Sequence, residues 1–135
     1  MIFSKYKIWN RKKSVILTKK IGKGTIIHAP VWVGKDVSIG QRVKIQTFAF
    51  IPDRLKIEDD VFIGPSVTFT NDKHPPSHGK GWTNTLIKRG AVIGAGATIL
   101  PGITVGINSI IGAGSVVTKN VPDGETWVGN PARKI

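Results

Sequence analysis

Branched apolar residues recur in this chain at every sixth position. Ile21, Ile27, Val33, Ile39, Ile45, Ile51, Ile57, Ile63 and Phe69 form an unbroken ladder, which resumes as Ile87, Ile93, Ile99, Val105, Ile111 and Val117. A period of six matches neither the helical repeat nor simple strand alternation, and it marks an internal repeat. Four residues after each ladder position lies a second column, running from Thr25, Val31 and Val37 to Ser109, Ser115 and Val121, with no charged member. A glycine follows the ladder residue at Gly22, Gly34, Gly40, Gly64, Gly94, Gly106 and Gly112, where it is expected to give a corner its backbone freedom. Short strands joined by tight corners predict an all-β parallel β-helix, each coil stacked on the last around an apolar axis. Fifteen ladder positions at three strands per coil give about five coils.

The ladder also divides the chain. Residues 1–20 precede it and form an expected N-terminal basic cap, in which Ile2, Phe3, Tyr6, Ile8 and Trp9 would cover the open end of the solenoid and Val15 is in phase with the ladder. Residues 21–121 form the helix and residues 122–135 a turn-rich tail. Phe69 and Ile87 are eighteen residues apart, three times six, so the phase survives the interruption. The coil therefore closes while a loop, placed at residues 71–86, is extruded from it. Such insertions land on one face and often carry binding function, and this one holds His74, His78 and Trp82. Trp32, Phe48, Phe50 and Phe62 fall at outward positions, which predicts a flat face covered by another subunit.

Composition narrows the chemistry. The 135 residues with 40% hydrophobic content suit one domain. With no cysteine, disulfides, thiolate metal sites and a cysteine nucleophile are excluded; a cytoplasmic address is consistent with this. No apolar run reaches the length of a membrane span and no signal-type segment begins the chain. The formal net charge is +12, and residues 1–20 contain Lys5, Lys7, Arg11, Lys12, Lys13, Lys19 and Lys20 with no acidic residue. Such a field favours an anionic ligand: nucleic acid, a membrane surface or a phosphate-bearing small molecule. Nucleic acid ranks low, because no reading motif accompanies the charge.

The segments Ile93-Gly94-Ala95-Gly96-Ala97-Thr98-Ile99, Ile111-Gly112-Ala113-Gly114-Ser115-Val116-Val117-Thr118-Lys119 and Val128-Gly129-Asn130-Pro131-Ala132-Arg133 resemble the hexapeptide-repeat acyltransferases over about residues 20 to 135. The resemblance implies a left-handed parallel β-helix, a homotrimer with active sites between neighbouring subunits, and acetyl-CoA as acyl donor. Val43-Lys44-Ile45-Gln46, Ile57 to Ser66 and Phe69-Thr70-Asn71-Asp72 are similar to N-acetyltransferases acting on nucleotide-linked amino sugars that feed lipopolysaccharide and related surface glycans. Thr70-Asn71-Asp72-Lys73-His74-Pro75 is also similar to the His-Pro segment of sugar O-acetyltransferases. A scaffold solenoid binding an acidic polymer is the reading outside enzymes.

Acetyl transfer from a thioester needs an acceptor for the nucleophile's proton and stabilisation of the developing oxyanion. His74 is the candidate base, since a histidine of ordinary pKa is largely neutral at pH 7. Asn71 could orient the acceptor and Asp72 could fix a histidine tautomer, although both also suit a loop-capping role. Gln46 and His78 are candidate substrate contacts. Given the resemblance, Gly94, Ala95, Gly112 and Ala113 would let a pantetheine arm reach the backbone, and Lys119 and Arg133 would meet the phosphates of the cofactor. No metal site is expected: relatives of this fold include a zinc hydratase with three histidines, but His28 lies several coils from His74 and His78.

Overall fold

The computed structural model describes residues 6–9 and 11–135. Its strands are two to four residues long and fall into three sheets. Sheet 1 runs through Lys7–Trp9, Ile26–His28, Lys44–Ile45, Phe62–Ile63, Val92–Ile93, Ile110–Ile111, Thr126–Gly129 and Ala132–Lys134. Sheet 2 runs from Val15–Ile16 through Trp32–Val33, Phe50–Ile51, Thr68–Phe69 and Thr98–Ile99 to Val116–Val117, and sheet 3 from Lys20–Ile21 through Ser38–Ile39, Leu55–Ile57 and Thr85–Ile87 to Thr104–Val105. All neighbours pair in parallel except the final hairpin. The chain is thus the expected parallel β-helix.

The register stacks like on like. Ile27 lies beside Ile45, Ile45 beside Ile63, Ile63 beside Ile93 and Ile93 beside Ile111. These isoleucines are essentially fully buried, each worth about 1.5–3 kcal/mol of transfer free energy. Polar members of the second column are satisfied in place. The Thr25 hydroxyl donates to the Gly40 carbonyl at 2.8 Å and accepts from the Val43 amide at 3.1 Å, while that of Ser109 donates to the Pro122 carbonyl at 2.7 Å.

The solenoid has about seven turns rather than the five expected, because both ends contribute. Lys7–Trp9 pairs with Ile26–His28 and Val15–Ile16 with Trp32–Val33, so a coil already precedes Ile21. Ile16, not Val15, lies beside the buried Val33; Val15 pairs with Trp32 and faces outward. That coil is one residue shorter than its neighbours here, seventeen from Ile16 to Val33 against eighteen from Val33 to Ile51. Tyr6 and Ile8 pack against the core, Trp9 faces solvent, and Ile2 and Phe3 lie outside the described residues. At the other end Trp127 continues the inward column beside Ile111, and the chain folds back so that Ala132 is buried. Among the described residues no helix is long and apolar enough to cross a membrane.

The glycine column is explained by space rather than by backbone freedom. Gly64 and Gly94 do not have positive φ. A Cβ on Gly64 would lie 2.8 Å from the Ala95 amide nitrogen, and one on Gly94 2.5 Å from that of Ala113. The left-handed positions come two residues later, at Gly96 and Gly114, and in the equivalent places one finds Phe48 and Ser66. Phe48 has φ 65° and is 64% exposed, an unusual conformation for a bulky side chain.

The outward aromatics do not share one face. Trp32 and Phe50 lie on sheet 2 with ring centroids 5.3 Å apart, Phe62 on sheet 1 and Phe48 at the corner between them. The outer column of sheet 2 reads Val15, Trp32, Phe50, Thr68, Thr98 and Val116, without a charge.

The two glycine roles separate by mutation. Gly94→Ala is expected to cost about 2–3 kcal/mol through overpacking, because the blocking atoms are backbone. Gly96→Ala, with open space around its Cβ, should cost only about 1–2 kcal/mol from its left-handed conformation. Urea midpoints of the two variants check the order; equal losses would refute it.

Candidate active site

The loop grows from one corner of the helix. Ladder residues flanking the corner between sheets 2 and 3 are normally six apart, as in Ile51 and Ile57, but Phe69 and Ile87 are eighteen apart. Its stem is closed by an antiparallel bridge between Asp72 and Trp82 and by the Thr83 amide donating to the Asn71 carbonyl at 2.9 Å. Asn71 Nδ2 donates to the Asp53 carbonyl at 3.0 Å, tying the stem to the coil below. The Asp72 carboxylate accepts the Ser77 amide at 2.8 Å and the His74 amide at 3.1 Å. The Ser77 hydroxyl in turn accepts the Gly81 amide at 2.9 Å.

These bonds set the electrostatics. The Ser77 amide, assisted by the Ser77 hydroxyl and by the amide and ring of His74, holds the Asp72 carboxyl below the usual carboxylate range. Asn71 and Asp72 therefore have loop-forming partners. Asn71 Nδ2 and the Asp72 carboxylate order the segment that carries His74, while Asn71 Oδ1 makes no hydrogen bond to the described residues. His74 itself is exposed, and its imidazole makes no hydrogen bond to the described residues. His78 is also exposed, with φ 52° in a turn. His28 is elsewhere, stacked on Trp9 with centroids 6.3 Å apart, so the three histidines do not converge.

Beside the loop stem lies a cleft of about 590 Å³, lined by Thr70, Asp72 and Lys73 from the loop side and by Gly102, Lys119 and Asn120 from the same corner of later coils. Lys119 was anticipated; Thr70, Thr118 and Asn120 were not. A signal existed for two of them, since Thr70 and Thr118, like Leu100, each follow a ladder residue at this one corner.

The remaining candidates sit at a different corner. Gln46, Gly94, Ala95, Gly112 and Ala113 lie where sheet 1 passes to sheet 2. Ala95 and Ala113 are exposed and their amides donate to no described backbone acceptor. A Cβ on Gly96 or Gly114 would meet nothing within 4 Å. This open strip of small residues with free N–H groups fits an extended amide-bearing arm such as pantetheine. Arg133 lies on the final hairpin, exposed, its guanidinium donating to the Ala132 carbonyl at 2.9 Å. Within one chain, then, the uncharged face of sheet 2 stands between the His74 corner and the Ala95 corner.

Comparison with known proteins agrees with this architecture. Residues 84–119 match the family described as bacterial transferase hexapeptide (six repeats). Galactoside O-acetyltransferase of Lactococcus lactis is 32% identical over 151 residues, covering 98% of this chain and 73% of that protein. Serine acetyltransferase of Buchnera aphidicola is 37% identical over 140 residues, covering 95% of this chain and 46% of that protein. Among solved structures, GDP-perosamine N-acetyl transferase from Caulobacter crescentus, in complex with CoA and GDP-perosamine, superposes with a TM-score of 0.74 at 25% identity, covering 99% of this chain and 55% of that one. The acetyltransferase domain of PglB from Neisseria gonorrhoeae, in complex with acetyl coenzyme A, gives a TM-score of 0.75 at 26% identity, with 98% and 55% covered. The chain thus spans about half the length of several relatives that it matches. The six-residue ladder, its closed coils and a relative matched along nearly the whole chain together place the chain in the hexapeptide-repeat acetyltransferase family.

Proposed function

We propose that the chain is an acetyl-CoA-dependent acetyltransferase whose acceptor is the amino group of a nucleotide-linked amino sugar, and that it works as a homotrimer with sites between neighbouring chains. The acceptor is supported by the likeness to the GDP-perosamine N-acetyl transferase, and the observation that carries the shared site is the division of its parts between two corners. An unbonded imidazole stands at one corner and free backbone amides at the next, with an uncharged, partly aromatic sheet between them. If sheet 2 is covered by a second copy, His74 of one chain faces the Ala95 corner of its neighbour. Burying Trp32 and Phe50 would supply the driving force, since exposed apolar faces of this kind are characteristic of interfaces.

Acetyl-CoA supplies the acetyl group as a thioester. His74 takes the proton of the acceptor nitrogen as the new C–N bond forms and the C–S bond breaks, and the departing sulfur receives a proton. Asp72 holds the loop that places His74, and the Ala95 and Ala113 amides orient the donor arm. Lys119 supplies positive charge for the phosphates. A sugar hydroxyl as acceptor is the second reading, favoured by the galactoside O-acetyltransferase likeness, and it would depend on His74 more steeply, because a hydroxyl is a poorer nucleophile without a base.

Release of free thiol from acetyl-CoA, measured with nucleotide amino sugars beside hydroxyl sugars, decides the acceptor; turnover with hydroxyl sugars alone would exclude the amine reading. His74→Ala should lower kcat by about a hundredfold, and an unchanged rate would return His74 to a loop role. Phe50→Glu should reduce the mass in light scattering to that of one chain and abolish turnover, while Lys56→Glu on sheet 3 should do neither. The pH dependence of the loop follows from Asp72. Its carboxyl is lowered on folding, so its contribution is complete above the ordinary value of about 4 and is lost only as pH falls through the lowered one. Proteolysis between Lys73 and Lys80 should therefore be flat from pH 8 to about pH 5 and faster throughout in Asp72→Asn.

A further inference from the structure

We propose that Phe48 forms the floor of the acceptor site, its ring lying against the C–H face of the acceptor's sugar. This role rests on the shared site described above, in which the corner between sheets 1 and 2 of one chain meets the His74 loop of its neighbour, and it holds equally for an amine or a hydroxyl acceptor. Along the stack that corner is small in the upper coils: Gly112-Ala113-Gly114 follows Ile111, Gly94-Ala95-Gly96 follows Ile93 and Gly64-Pro65-Ser66 follows Ile63. One coil below, after Ile45, it becomes Gln46-Thr47-Phe48. Phe48 takes the left-handed place of Gly96 and Gly114, with φ 65° against 68° in both. That conformation is costly for a bulky side chain, and no packing explains it, because the ring is 64% exposed and lies outside the core cluster. Strain kept at an exposed aromatic marks a contact with something outside the fold.

Height along the stack identifies that contact. The donor strip of Ala95 and Ala113 occupies the two coils above the one from which the His74 loop leaves, and Lys119 lies in the upper of them. A closed ring of copies adds no shift along its axis, so with the stacks parallel to that axis the neighbour's loop stands level with the corner at Pro65. A donor arm whose phosphates meet Lys119 brings its thioester down the strip toward this level, and Phe48 lies one rung lower, about 5 Å at 4.8 Å per rung. The reacting ring of the acceptor then sits between the thioester and Phe48. The side chains there suit a sugar. The Thr47 hydroxyl is engaged, donating to the Ala29 carbonyl at 3.1 Å, whereas the half-buried Gln46 side chain makes no hydrogen bond to the described residues. A pyranose presents C–H groups on its face and hydroxyls at its rim; Phe48 meets the first and the Gln46 amide the second. The aromatics that a second copy would cover, Trp32 and Phe50, stack on each other on sheet 2, and Phe48 is not part of that pair.

Steady-state kinetics with acetyl-CoA and the fastest acceptor of the thiol-release panel test the contact. Phe48→Ala should raise the acceptor KM about tenfold and leave the acetyl-CoA KM and the mass in light scattering unchanged, while Phe48→Tyr keeps the wild-type values. Phe48→Asn, which tolerates the left-handed region, should show the same KM loss together with a urea midpoint at or above that of the wild type. An unchanged acceptor KM in Phe48→Ala, an equal rise in the acetyl-CoA KM, or a lowered midpoint in Phe48→Asn overturns this role. So does a fall of the mass to that of one chain, which would place Phe48 in the interface, and so does an equal weakening of inhibition by GDP and UDP alone, which would put the nucleobase on the ring. Turnover of no acceptor by the wild type would instead remove the acetyltransferase reading itself, and this role with it.

Discussion

Everything in this molecule depends on coils meeting in register at backbone contact distance. Two coils stack well only if identical positions lie above one another, and the corners set how close they come. At Gly64 and Gly94 the next coil occupies the space that a Cβ would need. That closeness lets the amide of one corner reach the carbonyl of another, as Gly94 does to Ile111 at 2.8 Å and Gly64 to Ile93 at 2.9 Å. The ladder isoleucines then fill a shaft of constant width, so each needs a side chain of nearly the same volume. Repetition in the sequence is the chemical expression of that geometric demand.

The same demand explains the charge. Corners leave amides without a backbone acceptor, and acidic side chains from an adjacent coil cap them: Asp59 accepts from the Gln41 amide, Asp36 from that of Arg54, Glu58 from that of Arg89 and Asp123 from that of Ile107. Asp53 caps the Asp36 amide, Asp72 orders the loop, Asp60 pairs with Arg42 and Glu125 bonds the Trp127 indole. All eight acidic residues of the chain are thus committed to holding the fold. Few basic residues have a matching assignment, so a net positive surface is what remains after the corners have been closed.

Much of the fold was legible because period-six patterning has no competing interpretation. The buried ladder and the phase kept across the loop could be read from residue type and spacing alone. Corner glycines misled in their reason: sequence shows that a small residue is required, but whether for a positive φ or for a close neighbour depends on the stacked coil. Val15 misled through arithmetic, since a coil one residue short shifts the inward position to Ile16. The site was less legible. Asn71 and Asp72 read as polar loop residues in the sequence, and only the loop's hydrogen bonds reveal that Asn71 Nδ2 and the Asp72 carboxylate also hold the loop together. The His74 ring differs in that none of the described residues hydrogen-bonds it.

The loop's placement follows from what a solenoid permits. A strand position cannot accept an insertion, because one extra residue would turn the inward column outward. A corner can, provided that the chain returns to the same rung, and twelve added residues do so here because Asn71, Asp72 and Thr83 pinch the stem shut. Closing the stem costs entropy that grows only slowly with loop length, and the coil beneath is not disturbed: Phe69 still stacks on Ile99 and Ile87 on Val105. Extruded at an outer edge, His74 gains no burial within its own chain. Asp72 fixes the backbone of the loop through the Ser77 and His74 amides and leaves the imidazole exposed, so the loop is ordered by its stem and not by burial of the side chain it carries.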